Sequence, residues 1–225
     1  MNICLISDIH AGSGTWEYTY DKLLDLINEC NSDVLPIAGD VFDETTSESD
    51  IEQLAWVFET MDKPKYGMYY VYGNHDNKND DWAAKKMEEM GVTVLQDEMI
   101  TISDDIQLIG LLDPKLKAED PETLFPKLNL YYDYPIIVLQ HRPKHYQMLS
   151  ELGADLVMAG HTHGFNIPFY LTLPLLSDSY YGLKKYNEMS AITSSGVSAW
   201  GFHYKFPAES EVVNIHVTFN SDSQK

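Results

Sequence analysis

Five short apolar runs in this 225-residue chain lead into side chains that can ligate a metal. Ile3 to Ile6 is followed by Ser7 and then Asp8-Ile9-His10. Val34 to Ile37 leads through Ala38-Gly39 to Asp40 and, after Val41-Phe42, to Asp43. Met68 to Val71 leads through Tyr72-Gly73 to Asn74-His75-Asp76. Ile136 to Leu139 leads through Gln140 to His141, and Leu156 to Met158 through Ala159-Gly160 to His161-Thr162-His163. The runs are apolar on consecutive positions, as expected of strands buried on both faces. In open α/β sheets the carboxyl ends of strands share one crevice, so residues far apart in sequence can meet there. The i,i+2 spacing of Asp8 and His10, and of His161 and His163, lets each pair point one way from an extended segment. A donor set of His, Asp and Asn without Cys suits divalent Mn, Fe, Zn or Co rather than a closed structural zinc site. Asp8, His10, Asp40, Asn74, His141, His161 and His163 are too many for one tetrahedral ion but fit two sharing a bridging carboxylate. Two ions roughly 3.5–4 Å apart can hold an attacking oxygen and phosphoryl oxygens together, and lower the pKa of a bridging water. Taken singly, each residue is also an ordinary turn residue or helix N-cap, and Gly73-Asn74 a tight turn. Five strand ends would have to do this independently.

The elements that must position these groups follow from periodicity. Thr19 to Glu29 sets Leu23, Leu24 and Ile27 on one helical face. Ser47 to Met61 opens with Ser47 and Asp50 in a capping-box arrangement and carries Ile51, Leu54, Val57 and Phe58. Asp81 to Met90 ends at Gly91, and Lys144 to Leu152 at Gly153. From 92 to 112, and again from Glu211 to Phe219, the pattern is that of strands, with Val213, Ile215, Val217 and Phe219 alternating. The expectation is a two-layered sheet system flanked by helices, forming one domain over 1–220 with 221–225 a frayed tail. The chain has 44% hydrophobic and 12% aromatic residues, which excludes disorder. At this length roughly 70% of the unfolded surface can be buried, so no disulfide staple is needed and Cys4 and Cys30 read as buried thiols. Neither a stretch of about 18 apolar residues nor a signal-peptide pattern occurs. With 35 acidic and 15 basic side chains the formal charge is -20. Phosphates are repelled by such a surface, which makes nucleic acid an unlikely partner. Metal would supply the attraction that Lys and Arg do not.

In combination, Asp8-x-His10, Gly39-Asp40-x-x-Asp43, Gly73-Asn74-His75-Asp76, His141 and Gly160-His161-x-His163 resemble the five ordered motifs of the calcineurin-like metallophosphoesterases. The resemblance spans residues 8–163. It implies an α/β (α+β) chain folded as a four-layer αββα sandwich, two mixed sheets flanked by helices, with a dinuclear centre at the sheet edges. It implies Asp8, His10, Asp40 and His163 around a first divalent ion, and Asp40, Asn74, His141 and His161 around a second, Asp40 bridging. His75 would protonate the leaving oxygen or stabilise charge on the phosphoryl group. Asp76 would either orient His75 or cap its loop. Gln140-His141-Arg142-Pro143 and Ser195-Gly196-Val197-Ser198 with Trp200-Gly201-Phe202 resemble a bacterial phosphodiesterase branch. Many members of that branch carry an N-terminal membrane segment, and some act on lipid-linked nucleotide sugars. Here Phe165-Asn166 stands where that branch usually has Gly-Gln.

The expected reaction is therefore hydrolysis of a phosphodiester, small or lipid-linked, by a metal-bridging hydroxide. A phosphomonoesterase, a nuclease and, last, a non-catalytic scaffold are the alternatives. Arg142 could bind a substrate phosphate or merely pair with the acidic surface. Phe165 to Leu176 could wall the site for an acyl or aryl group or pack as core, and His203 reads as a loop residue. No protein partner follows from the residues. A cytoplasmic location is expected, with peripheral membrane contact if a segment precedes this chain.

Overall fold

In the structure, a computed structural model, residues 1–12, 19–76, 81–103, 105–164, 178–198 and 208–218 are described. The expectations for Phe165 to Leu176, for Phe219, for Trp200 to His203 and for the 221–225 tail lie outside these residues.

The chain runs β1 (Asn2–Leu5), α1 (Tyr20–Glu29), β2 (Leu35–Ile37), α2 (Glu48–Thr60), β3 (Met68–Tyr70), α3 (Trp82–Glu89) and β4 (Thr93–Val94), in repeated βα units. β5 (Glu98–Ser103), β6 (Ile106–Gly110), α4 (Pro121–Leu124), β7 (Ile136–Leu139), α5 (Tyr146–Glu151) and β8 (Leu156–Ala159) follow. The last strands are β9 (Gly182–Tyr186), β10 (Met189–Thr193) and β11 (Val213–His216). β2, β3 and β4 are parallel. β1 pairs antiparallel with β11 and joins β2 through bridges at Ile3–Val34 and Ile6–Ile37. The other sheet has the order β5-β6-β7-β8-β10-β9, parallel in its middle and antiparallel at both edges. Both sheets are thus mixed.

Three apolar layers make the sandwich. Leu23 and Ile27 of α1, Leu54 and Phe58 of α2 and Met87 of α3 cover one sheet. Ile3, Leu5, Val34 and Val71 face Leu108, Ile137, Leu139 and Met158 between the sheets. Leu124 of α4 and Tyr146 and Leu149 of α5 cover Val138 and Val157 on the far side. Strands buried on both faces have no polar face, which is why these runs lack alternation. The caps form as the sequence dictates. Thr19 accepts from Lys22 N, and Ser47 and Asp50 complete a reciprocal capping box.

Three features depart from the sequence reading, the short helix α4 being one that it did not contain. The β9–β10 hairpin was not anticipated, because Gly182-Leu-Lys-Lys-Tyr186 is an exposed edge strand with little apolar signal. The helix expected from Lys144 to Leu152 spans only Tyr146–Glu151, because His145 is left-handed, with φ of +63°, and cannot belong to a right-handed helix. Leu108 is 1% exposed in the inter-sheet layer, whereas Leu183 is 65% exposed on β9. Leu108→Ala should therefore cost about 2–5 kcal/mol in urea unfolding. Leu183→Ala should stay within about 0.5 kcal/mol of the parent.

Candidate metal centre

Hydrogen bonding between neighbouring strands continues past their formal ends and carries the polar residues with it. Ala38 N donates to Ile6 O, Asp8 N to Gly39 O at 2.9 Å, and His10 N to Asp40 O at 3.0 Å. The loops after β1 and β2 therefore run side by side. The second sheet is tied to the first at this rim, where His161 N donates to Asp8 Oδ2 at 2.9 Å, while Gly160 N donates to His141 O at 3.0 Å within the second sheet. Glycine precedes a candidate ligand in three of the motifs. A Cβ on Gly73 would overlap the Asp40 carboxylate, and one on Gly160 would overlap Asp8 Oδ2.

Two groups of potential ligand atoms result. Asp8, His10 and His163 offer atoms within 4.8 Å of one another, and so do Asp40, His141 and His161. Asp40 lies between them, its Oδ2 3.7 Å from His10 Nε2 and 3.2 Å from His141 Nε2. Nδ1 of His141 faces Ala38 O at 2.8 Å, and Nδ1 of His163 faces Ser198 O at 3.1 Å. Each backbone carbonyl orients its ring and turns Nε2 toward a carboxylate, the arrangement metal-ligating histidines need. His10 Nδ1 stands 3.3 Å from Asp43 Oδ2. Asn74 enters through Arg142, whose Nη2 donates to Asn74 Oδ1 at 3.0 Å while Nη1 lies 3.1 Å from His161 Nε2. The seven residues named as ligands thus gather at one rim.

Charge is concentrated here. Burial alone would lower the pKa of His141, but the Asp40 carboxylate outweighs it and holds the imidazole at about 10. Burial would likewise raise Asp40, but His141 and His10 keep its carboxyl well below the usual range. Burial, followed by the charges of His141 and Arg142, pushes His161 down to about 2. Asp8 Oδ1 is buried without a hydrogen-bond partner among the described residues. His163 Nε2 stands 3.6 Å away, and a buried carboxylate oxygen without a hydrogen bond is costly, a cost that a cation beside it removes. With N and O donors and no thiolate, these groups fit divalent ions.

His75 is 17% exposed at its side chain, with Nδ1 3.5 Å from Glu44 Oε1. Its ring centroid is 5.2 Å from that of His10, edge to face, and its backbone N donates to Asp40 Oδ1 at 2.7 Å. Of the two roles considered for Asp76, the geometry gives the loop brace. Asp76 Oδ2 accepts from Asp40 N and Gly73 N, and Oδ1 from Phe42 N. Three backbone donors use both oxygens, the geometry of a loop brace. Burial and the nearby Asp40 raise its pKa to about 6. Arg142 is not a stray surface charge, because its Nε donates to the buried Asp113 at 2.7 Å. Asp113 was missed, although the rule used for the other strands would have found it. The apolar run Ile106 to Leu112 also ends in an aspartate.

Residues 1–165 match the family model of the calcineurin-like phosphoesterases. A Helicobacter pylori protein named as an uncharacterized metallophosphoesterase is 29% identical over 226 residues, covering 96% of this chain and 60% of its own length. The chain thus spans about 60% of that relative. Among solved structures, the protein TT1561 of Thermus thermophilus superposes with a TM-score of 0.57 at 14% identity, covering 88% of this chain and 90% of that one. A dimetal phosphatase from Danio rerio gives 0.50 at 10% identity, covering 88% of each. These likenesses establish the fold, and the family match together with the two clusters at the strand ends identifies this chain as a member of the calcineurin-like phosphoesterase family.

Proposed function

We propose that this chain is a phosphodiesterase dependent on two divalent cations, Asp8, His10, Asp40 and His163 holding one and Asp40, Asn74, His141 and His161 the other. The observation that carries this reading is the position of Asp40 between two clusters, each offering nitrogen and oxygen donors. The ions would supply positive potential on an acidic chain and make hydroxide available from water at neutral pH. The chain's own residues do the rest. Asp43 and the carbonyls of Ala38 and Ser198 keep the imidazoles aimed inward. His75, partly open to solvent beside the first cluster, is placed to give a proton to the departing alcohol. Arg142 presents two N–H groups beside the second cluster, where a guanidinium can bind a phosphoryl oxygen. The diester preference rests on resemblance to a phosphodiesterase branch, and Mn, Fe and Zn all suit the donors. Among the described residues no helix is long and apolar enough to cross a membrane.

Protein loaded with Mn2+ should hydrolyse bis-p-nitrophenyl phosphate. His75→Ala should lower kcat by about 10²–10⁴-fold with metal content unchanged, the usual worth of a general acid. Asp40→Ala should lose both activity and metal by elemental analysis. Full activity in His75→Ala would remove this residue from the reaction. Proton linkage gives a second expectation. Because His141 holds a proton up to about pH 10 beside Asp40, an ion ligated by His141 must displace that proton. Metal affinity should therefore rise with pH and fall on acidification. Calorimetry between about pH 6 and 9, in buffers of different ionisation enthalpy, should record proton release. Affinity independent of pH would contradict this.

A further inference from the structure

Beside the second cluster, the loops after β6 and β7 leave a cleft of about 180 Å³. His141 and Arg142 line it, so it opens directly off the proposed phosphoryl position. Its other walls include Leu111, Leu112, Pro114, Ala118 and Lys144. The acids at its edge are already engaged. Asp113 accepts from Arg142 Nε and Lys115 N, Asp120 accepts from Glu122 N, and Glu119 pairs with Lys127. With Arg142 paired to Asp113 and Lys127 to Glu119, the cleft presents mainly apolar surface with the Lys144 ammonium among its lining groups. Buried Asp113 fixes the position of the Arg142 side chain, which lines the cleft and also reaches Asn74 and His161 of the second cluster.

We propose that this cleft binds the ester substituent that stays on phosphorus during hydrolysis of a phosphodiester. The inference rests on the phosphodiesterase reading and extends it. His75 lies next to His10 of the first cluster, so the alcohol that it protonates departs on that side. Water oxygen forms the new P–O bond as the bond to that alcohol breaks. The alcohol leaves with the proton, and the phosphomonoester keeps its other substituent, which points past Arg142 into the cleft. A monoester substrate has no group to place there, so the cleft favours diesters. Its volume is below the roughly 300 Å³ at which pockets for drug-sized ligands begin. The retained group is accordingly compact, a single ring or short alcohol rather than an acyl chain.

The test compares bis-p-nitrophenyl phosphate with methyl p-nitrophenyl phosphate, which release the same alcohol and retain different groups. Ala118→Phe, which fills the cleft, should lower kcat/KM for the aryl diester about tenfold relative to the methyl diester, the discrimination one steric change in a pocket gives. Ala118→Leu, a smaller intrusion, should give an intermediate change. Binding provides a readout independent of turnover. In calorimetry on metal-loaded protein, Ala118→Phe should weaken phenylphosphonate relative to methylphosphonate. Equal effects on both diesters and both phosphonates, in folded variants with full metal content, would overturn the cleft assignment and leave the hydrolase reading intact. Failure of the metal-loaded parent to turn over either diester would overturn both.

Discussion

The arrangement depends on negative charge held out of water at the meeting edge of two sheets. Asp8 and Asp40 are buried where the strands end, and few described groups can offset them. Asp40 is partly compensated by His141 and His10 and by the backbone N–H of His75. Asp8 Oδ2 takes the N–H of His161, and Oδ1 has no hydrogen-bond partner among the described residues. Carboxylates desolvated in this way either take up protons or attract cations. Here the imidazoles keep Asp40 ionised, so the same field that lifts the pKa of His141 also favours a divalent ion. Excess acid is a barrier to anionic substrates over the rest of the surface, but at this rim it is what allows positive charge to accumulate.

Backbone geometry carries part of the cost. Asp8, His10, Asp40, His161 and His163 all have positive φ, between +44° and +75°. Each departure from the usual region costs an L-residue about 1 kcal/mol or more, although Asp and His tolerate it better than branched residues do. Five such residues at one rim mean that the strands stop and turn where their donors must face inward, a known use of strain at functional sites. The carboxylate of Asp76 opposes that strain by holding the backbone after β2 and β3 in place. It keeps Asp40 and Gly73 in register.

Much of the fold was legible because burial on both faces leaves a plain signature. The runs at Ile3, Val34, Met68, Ile136 and Leu156 are apolar without alternation, and each became a strand or bridge in a central position. The polar residues following them were legible for the same reason, since a strand end at the crevice has no other reason to repeat Asp, Asn and His. The β9 edge was not legible. β9 carries two lysines and an exposed leucine, so its pairing with β10 is set by the hairpin and by β10's parallel contact with β8. The role of Asp76 was ambiguous because a carboxylate next to His75 in sequence can face either the ring or the loop, and only coordinates show three backbone donors reaching it. The pairing of Asp113 with Arg142 joins positions 29 residues apart through a side chain, and no local periodicity reports such a contact.

That pair bears on how one cation is held in a chain of net charge -20. A guanidinium free in solvent near so many carboxylates would sample several partners and hold none of them for long. Burial of Asp113 changes this. The Nε edge of Arg142 is committed to one carboxylate, which leaves Nη1 and Nη2 pointed at His161 and Asn74. The planar fork gives these two N–H groups a fixed spacing that a lysine ammonium could not reproduce. One buried acid therefore orients one base and fixes which way its guanidinium faces beside the second cluster. Net charge sets the long-range repulsion, and local geometry decides where that repulsion is locally reversed.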